Sequence, residues 1–555
     1  MQAAKFTNMV SGLLIAVVIP VFNGGTSGRT AKELSYNPGT IPDSLIEGSS
    51  APEREHIFNP DMITLLNEKV GDLLSPRWAN GDKIARIITA IQNAQADGLN
   101  PDDYNLPDID ELTERIILSD EPAVEDIGRL EMMLSDAFLL LSSHLAAGKT
   151  DPAIIDPEWK ALRRNLRQNW QSFIDSTLNT NNIVETLQNL TPGYRDYINL
   201  KKALEKYRQL EADGGWGYFN TSFPKLEKGI MHSDVSMLRK RLAITQGYIE
   251  FNPEDEYLFD QALHDQVIIF QQRNGLESDG VVGKLTIEAL NIPVKDRIET
   301  IEANLERWRW IGDDLGNRYI RVNAADFELR VMENDTVAFQ TPAIVGSFKR
   351  QTPVFSAVMK YMVLNPDWAV PENILKLDII PEVIKDSTYL ARKNMKILRM
   401  DGTEVNPYSI DWKSASENSF PYMIKQEPGQ DNPLGRIKFI FTNPYDVYIH
   451  DTPTRSLFSR NVRPFSSGCI RISNAFELAG YLLKDDPGWS QARLKQAIDR
   501  DQKQAIIFKN PIPVHIFYLT AWADDDGTAY FGKDIYNRDR QLIIALKQDH
   551  SGKTL

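Results

Sequence analysis

The sequence predicts a multi-domain α+β protein: a helical scaffold, a small three-helix unit, and a mostly β domain with an insertion. Three observations lead there. The chain has 555 residues, too many for one core at about 150 residues per domain. Apolar residues recur at helical spacing through the first half. Beyond residue 317 the pattern changes to short β-branched and aromatic runs separated by turns.

At the N-terminus, Lys5 precedes the apolar run Gly12–Phe22, which is followed by Asn23, Gly24, Gly25, Thr26, Ser27 and Gly28. A charge, an apolar core and a small-residue tail form the export pattern. The run is shorter than the roughly 20 residues that span a bilayer. Residues 1–28 are therefore expected to be a signal peptide or an N-terminal membrane anchor, with a buried N-terminal helix as the alternative. Residues 29–55, rich in Pro, Ser, Gly and charge, read as a flexible linker.

Residues 56–228 are expected to be a helical scaffold. Ile84, Ile87, Ile88 and Ile91 mark one amphipathic helix, which Asp97-Gly98 stops. Leu130, Met133, Leu134, Ala137, Phe138 and Leu141 mark another. His144 lies on this second pattern and reads as a surface or satisfied core group. Residues 229–293 form a compact unit of three short helices, marginal alone and expected to lean on its neighbours. Residues 297–316 carry a linking helix with Ile298, Ile301, Leu305 and Trp308 on one face.

The β domain is expected over residues 317–497. Its strands read as Tyr319–Asn323, Leu329–Met332, Ala338–Val345, Lys360–Leu364, Ile437–Phe441 and Val447–His450. Residues 372–430 interrupt them as a capping insertion over one edge. Asn474 followed by Glu477 resembles a capping box opening a helix. Residues 498–555 are expected to be a C-terminal extension packing on the scaffold.

Composition sets limits on function. The chain is 42% hydrophobic and 25% charged, an ordinary globular balance. Its formal net charge of −14 argues against nucleic acid as a partner, because binding requires a basic face. Cys469 is its one cysteine, so neither an intrachain disulfide nor lipidation on an N-terminal cysteine is open to it. The seven histidines show no H-E-x-x-H pattern and no Cys/His cluster, so neither metal nor cofactor is expected.

The chemistry concentrates in Val447–Arg471, VYIHDTPTRSLFSRNVRPFSSGCIR. His450 ends a β-like run, and Cys469 follows 19 positions later across a polar loop. A loop of that length can bring its ends together at modest entropic cost. A free thiol has a pKa near 8.5, and an adjacent imidazole can take its proton to give a strong nucleophile. Ser467 and Gly468 leave room for a substrate, and Gly468 can adopt dihedrals that aim backbone N–H groups at an oxyanion. Arg471 can anchor a substrate carboxylate, with a structural ion pair as the equal alternative.

H-D-T at 450–452 and S-S-G-C-I-R at 466–471 closely resemble the L,D-transpeptidase family, also called the YkuD domain. The resemblance implies that Cys469 is the nucleophile and His450 the general base, with Ser467, Gly468 and Arg471 as motif neighbours. FQQRNGLESDGVVGKLTIEALN, at 270–291, is similar to a peptidoglycan-binding three-helix module. ANLERWRW, VGSFKRQTPVFS, NPDWAVP and LGRIKF resemble the large periplasmic subtype, in which scaffold, binding module and a catalytic domain with an inserted lid follow one another.

What this implies is a periplasmic enzyme of peptidoglycan biosynthesis and cell shape. A tetrapeptide stem is the donor and a diaminopimelate-containing stem the acceptor. D-alanine leaves, a cysteinyl acyl-enzyme forms, and a 3→3 cross-link results. Carbapenems are the implied inhibitors and other wall synthases are possible partners. Tyr448 and Trp368 are expected to border the substrate cleft or to be core aromatics, and Ser466 is placed at the cleft. The alternatives are an L,D-carboxypeptidase or cysteine peptidase hydrolysing the same bond, attachment of a lipoprotein through a lysine amine, and a non-catalytic wall-binding protein.

Overall fold

A computed structural model describes residues 81–548, apart from 120–122, 162–176, 178–181, 248–252, 313 and 416–419. The expected signal or anchor at 1–28, the linker at 29–55 and the start of the scaffold lie outside the described residues. The architecture is α+β.

In the scaffold, helix Gly81–Asn93 buries Ile87, Ile88 and Ile91 against helix Val124–Ala147, which contributes Leu134, Phe138 and Leu141. Val124–Ala147 is long and apolar enough to cross a membrane by length and composition, but 78% of its most apolar window is buried inside the domain. It acts as a core helix of the scaffold, on the apolar pattern marked by Leu130, Leu134, Phe138 and Leu141. His144 on it is 1% exposed and pairs through Nδ1 with the Tyr104 hydroxyl at 3.0 Å.

The linking helix runs Val294–Trp310 and is buried on more than its predicted apolar face. Glu306 and Arg309 are both fully buried and pair at 2.7 Å. Glu306 also accepts from the Thr150 N–H and hydroxyl at 2.6 and 2.8 Å, and Arg309 donates to the Asp97 carbonyl at 2.6 Å. These bonds tie the helix to the scaffold at residues 97 and 150. Removing one partner of such a pair strands a charge, which costs about 3–5 kcal/mol. Glu306→Ala is therefore expected to destabilise the scaffold by that amount, read as a lowered denaturation midpoint of the full chain.

The three-helix unit consists of Ser233–Gln246, Gln261–Arg273 and Lys284–Leu290 around Leu238, Leu242, Phe259, Leu263, Val267 and Leu290. It leans on its neighbours: Trp216 Nε1 donates to the Ile292 carbonyl at 2.9 Å, and Arg297 donates to Asn274.

The β domain is built from β1 (Arg318–Asn323), β2 (Glu328–Glu333), β3 (Thr336–Gly346), β4 (Val354–Leu364), β5 (Ile437–Phe441), β6 (Ile449–His450), β7 (Pro464–Ser466), β8 (Ile470–Ile472) and β9 (Gln504–Phe517). The sheet order is β4-β5-β6-β8-β3-β2-β1-β9, with β7 beside β3 and β9 also beside β4, so the sheet closes on itself. Helices Ala475–Leu482 and Gln491–Asp499 cover its apolar face.

Two expectations are corrected here. Residues 498–555 are not a separate extension, since β9 pairs with β4 and β1 inside the main sheet. Pro511 and Pro513 disguise the strand in the sequence; Pro511 falls in an irregularity of the β4 register between Ile507 and Ile512, and Pro513 pairs with Val358 just beyond it. Only the residues after β9 reach the scaffold, through strands Ala521–Ala523 and Ala529–Phe531 and helix Asp539–Leu546. The helix after β8 spans Ala475–Leu482 with no side-chain cap from Asn474, whose N–H donates to Thr341 Oγ1 at 3.0 Å instead.

The insertion has its own sheet, formed by Trp368–Ala369, Met395–Leu398, Glu404–Val405 and Met423–Gln426. It also has its own core, which includes Trp368, Ile380, Ile397 and Ile424, and Tyr448 packs against that core from the main sheet.

Candidate active site

Strand alternation places the reactive groups. Ile437 and Phe439 on β5, Ile449 on β6, and Ile470 and Ile472 on β8 all enter the main core. Side chains alternate along a strand, so their neighbours Lys438, His450 and Arg471 face the other way. The register pairs Lys438 with His450 and His450 with Arg471. Two residues back from this row, Tyr448 and Cys469 share the same face, and the Ile470 N–H donates to the Tyr448 carbonyl at 3.0 Å. The lid core lies over this face through Tyr448.

His450 is 4% exposed, and its Nδ1 lies 2.6 Å from the Asp451 carbonyl. A carbonyl can only accept, so Nδ1 carries the hydrogen and Nε2 presents a lone pair. Burial first, then the Arg471 cation, push the imidazole down to about 3, with Lys438 adding to the shift and the Asp451 bond opposing it. The ring is thus neutral at physiological pH. The group that orients it is a backbone oxygen. The Asp451 side chain points elsewhere, accepting from the Arg436 N–H at 2.8 Å and from Arg455 at 2.5 Å.

Cys469 is half-buried, and its thiol donates to the Asp446 carbonyl at 3.6 Å. Burial pushes the thiol up. The Tyr448 backbone N–H and phenol, with the Lys438 and Arg471 cations, pull it back toward the thiolate. These opposing influences leave a protonated sulfur in a setting that favours negative charge.

The turn before Cys469 is held from several sides. Ser466 is buried; its hydroxyl donates to the Cys469 carbonyl at 2.5 Å and accepts from the Gly468 N–H at 3.2 Å. Ser466 therefore shapes the turn from beneath rather than lining the cleft. The Gly468 N–H is thus committed to Ser466. Thr352 donates to the Gly468 carbonyl at 2.8 Å. Arg350 donates to the Ser467 hydroxyl at 2.7 Å and pairs with Asp378 of the lid at 2.7 Å, tying the turn to the insertion.

Gly468 has φ +113, and a Cβ there would meet only the Gln351 carbonyl, at 3.5 Å. The barrier to a side chain is thus the backbone conformation rather than space. Gly468→Ala is expected to cost about 1–3 kcal/mol of strain. Because a misplacement of about 1 Å at a reacting atom can cost about 100-fold, acylation of Cys469 should slow by a similar factor, measured by stopped-flow kinetics.

Arg471 has no ion-pair partner among the described residues, and its Nε is buried without a hydrogen bond. Lys438 lies over the Tyr448 ring, 3.7 Å from its centroid, also without a carboxylate partner among the described residues. Trp368 is 7% exposed and sits in the lid core, against which Tyr448 packs. Among the described residues no group of His, Cys, Asp and Glu could hold a metal ion.

Comparison with known proteins places this arrangement. The family model of the L,D-transpeptidase catalytic domain matches residues 317–489, the full set of strands and turns that carry the site except β9. The chain carries an L,D-transpeptidase catalytic domain. A scaffold-domain model matches residues 73–204, and one described as "Putative peptidoglycan binding domain" matches 231–290. A curated protein of Haemophilus influenzae named "Putative L,D-transpeptidase" is 31% identical over 301 residues, covering 53% of this chain and 60% of that protein. The chain thus spans about three fifths of the curated relative's length. Among solved structures, the L,D-transpeptidase (residues 123–326) of Xylanimonas cellulosilytica aligns at 14% identity with TM-score 0.17, covering 54% of this chain and 100% of that one. The Ldtfm–avibactam carbamoyl enzyme aligns at 12% identity with TM-score 0.18, covering 41% and 64%.

Within the L,D-transpeptidase domain, Lys438, Arg350 and Thr352 join the site without having been singled out from the sequence. For Lys438 a signal was present: a lone cation between Ile437 and Phe439 must face away from the core. That it faces His450 depends on strand register, which local sequence does not encode.

Proposed function

We propose that this protein is a cysteine-dependent L,D-transpeptidase that forms 3→3 cross-links in peptidoglycan outside the cytoplasm. One observation carries the reading: Cys469 and a His450 whose Nε2 presents a lone pair share one sheet face with two cations that lack carboxylate partners among the described residues. Uncompensated cations beside a nucleophile suit a substrate rich in carboxylates, such as a peptidoglycan stem.

The sulfur attacks the carbonyl between residues three and four of a tetrapeptide stem as its proton passes to His450 Nε2. The tetrahedral oxyanion forms beside the Tyr448 donors. On collapse the C–N bond breaks and His450 delivers the proton to the departing D-alanine amine, leaving a thioester. The side-chain amine of a diaminopimelate residue then attacks the thioester, His450 takes its proton, and the sulfur leaves and is reprotonated. Hydrolysis differs only in the acceptor. The lid, tied to the motif turn through Arg350, favours transfer because it can shelter the thioester from water. The export pattern at 1–28 supports a periplasmic site, where these stems reside.

Incubation with purified disaccharide-tetrapeptides tests the reading. Cross-linked dimers with loss of D-alanine are expected, whereas tripeptides without dimers would assign a hydrolase.

The pH response follows from the two shifts. His450 stays neutral down to about pH 3, so the base remains available well below the ordinary histidine range near 6.5. The acid limb of carbapenem acylation should therefore fall far below pH 6.5. Alkylation of the free enzyme by iodoacetamide should rise with pH up to and beyond the ordinary thiol range, since Cys469 is raised. A preformed thiolate–imidazolium pair would instead give a pH-independent plateau between about 5 and 8.

A further inference from the structure

A cleft of about 460 Å³ opens where the scaffold, the three-helix module and the segment after β9 meet, and none of its lining residues belongs to the Cys469 face. Three arginines line it: Arg241 and Arg273 from the module, and Arg297 from the linking helix. Arg241 and Arg297 are 5% and 9% exposed, yet none of the three forms an ion pair among the described residues. The carboxylates nearby are Glu205, exposed on the lining, and Asp296, which acts on Arg297 only through space.

Arg241 sits over the Trp216 ring at 4.2 Å and Arg297 over the Phe531 ring at 4.1 Å. A guanidinium stacked by its face keeps its edge donors for another partner. Arg241 spends Nε and one Nη on the Leu290 carbonyl, at 3.0 and 2.8 Å, and its other Nη is buried with no acceptor. Arg297 donates one Nη to Asn274. Burial lowers both guanidinium groups to about 10, and the Arg297 cation adds to the shift at Arg241. Buried like charges with unmatched donors are costly unless an anion completes them.

We propose that this cleft is a second, non-catalytic binding site that takes a carboxylate-bearing saccharide of the wall polymer. The arginines receive the carboxylate, and the apolar flanks of Tyr207 and Phe270 pack against the sugar. The assignment rests on the reading that peptidoglycan is the substrate, and it gives the module a defined contact: it grips a glycan segment away from the stem under reaction.

Titration calorimetry on the full chain tests this, using the disaccharide N-acetylglucosaminyl-N-acetylmuramic acid with a free lactyl carboxylate and, as the uncharged control, its methyl ester. The acid is expected to bind at least 10-fold more tightly than the ester. Arg273→Gln, at a half-buried helix end, should weaken the acid at least 10-fold while leaving the melting temperature and carbapenem acylation of Cys469 unchanged. Arg241→Lys, which keeps charge but loses the fork, should retain part of the affinity. Equal binding of acid and ester, no binding of the acid, or wild-type affinity in a folded Arg273→Gln protein would overturn the proposal. Cross-linking is read separately on tetrapeptides, so loss of that activity with carboxylate binding intact would sink the proposed reaction and leave this site standing.

Discussion

Cys469→Ala should lower the rate of cross-linking by about 10⁶-fold, the scale on which loss of a nucleophile from an acyl-transfer site is felt. Nothing near the sulfur can replace it. Cys469 is the chain's single cysteine. The nearest hydroxyls in the turn are committed: Ser466 to the Cys469 carbonyl and Ser467 as acceptor from Arg350. The alanine protein should fold normally, because the contacts that hold the turn run through backbone atoms, Ser466, Thr352 and Arg350. Its melting temperature should stay close to that of the wild type. Intact-mass measurement with a carbapenem should show one adduct on the wild type and none on the variant.

His450→Gln should slow acylation by roughly 10³–10⁴-fold at neutral pH, toward the upper end of general acid–base effects. The large figure follows from the state of the sulfur. Burial holds Cys469 protonated, so without an acceptor at Nε2 little thiolate is present. The deficit should shrink as pH is raised through the thiol range, because hydroxide then does what the imidazole did. A pH-rate profile of the variant between 6 and 10 checks this. A constant deficit at every pH would mean that His450 acts by position alone.

Much of the site was legible in the sequence because the motif is local. His-Asp-Thr and Ser-Ser-Gly-Cys-Ile-Arg each occupy consecutive positions, and strand alternation carries Tyr448 with His450. What escaped is nonlocal or lies in the backbone. The atom that orients His450 is the Asp451 carbonyl, which has no side-chain signature. Lys438 reaches the site through the β5–β6 register, and Arg350 through a turn that meets residue 467 only after folding. In the fold, β9 was hidden because Pro511 and Pro513 break the alternation that marks a strand. The linking helix carried its apolar stripe openly, but the burial of Glu306 and Arg309 depends on partners from distant segments.

The most direct test is to quench the enzyme during turnover of a disaccharide-tetrapeptide and map the modified peptide by mass spectrometry. The expected result is a tripeptidyl thioester on the peptide containing Cys469, with the donor shorter by one D-alanine and with dimers appearing as the thioester decays. Dimers formed without any adduct on Cys469, or by the Cys469→Ala protein at the wild-type rate, would contradict the account.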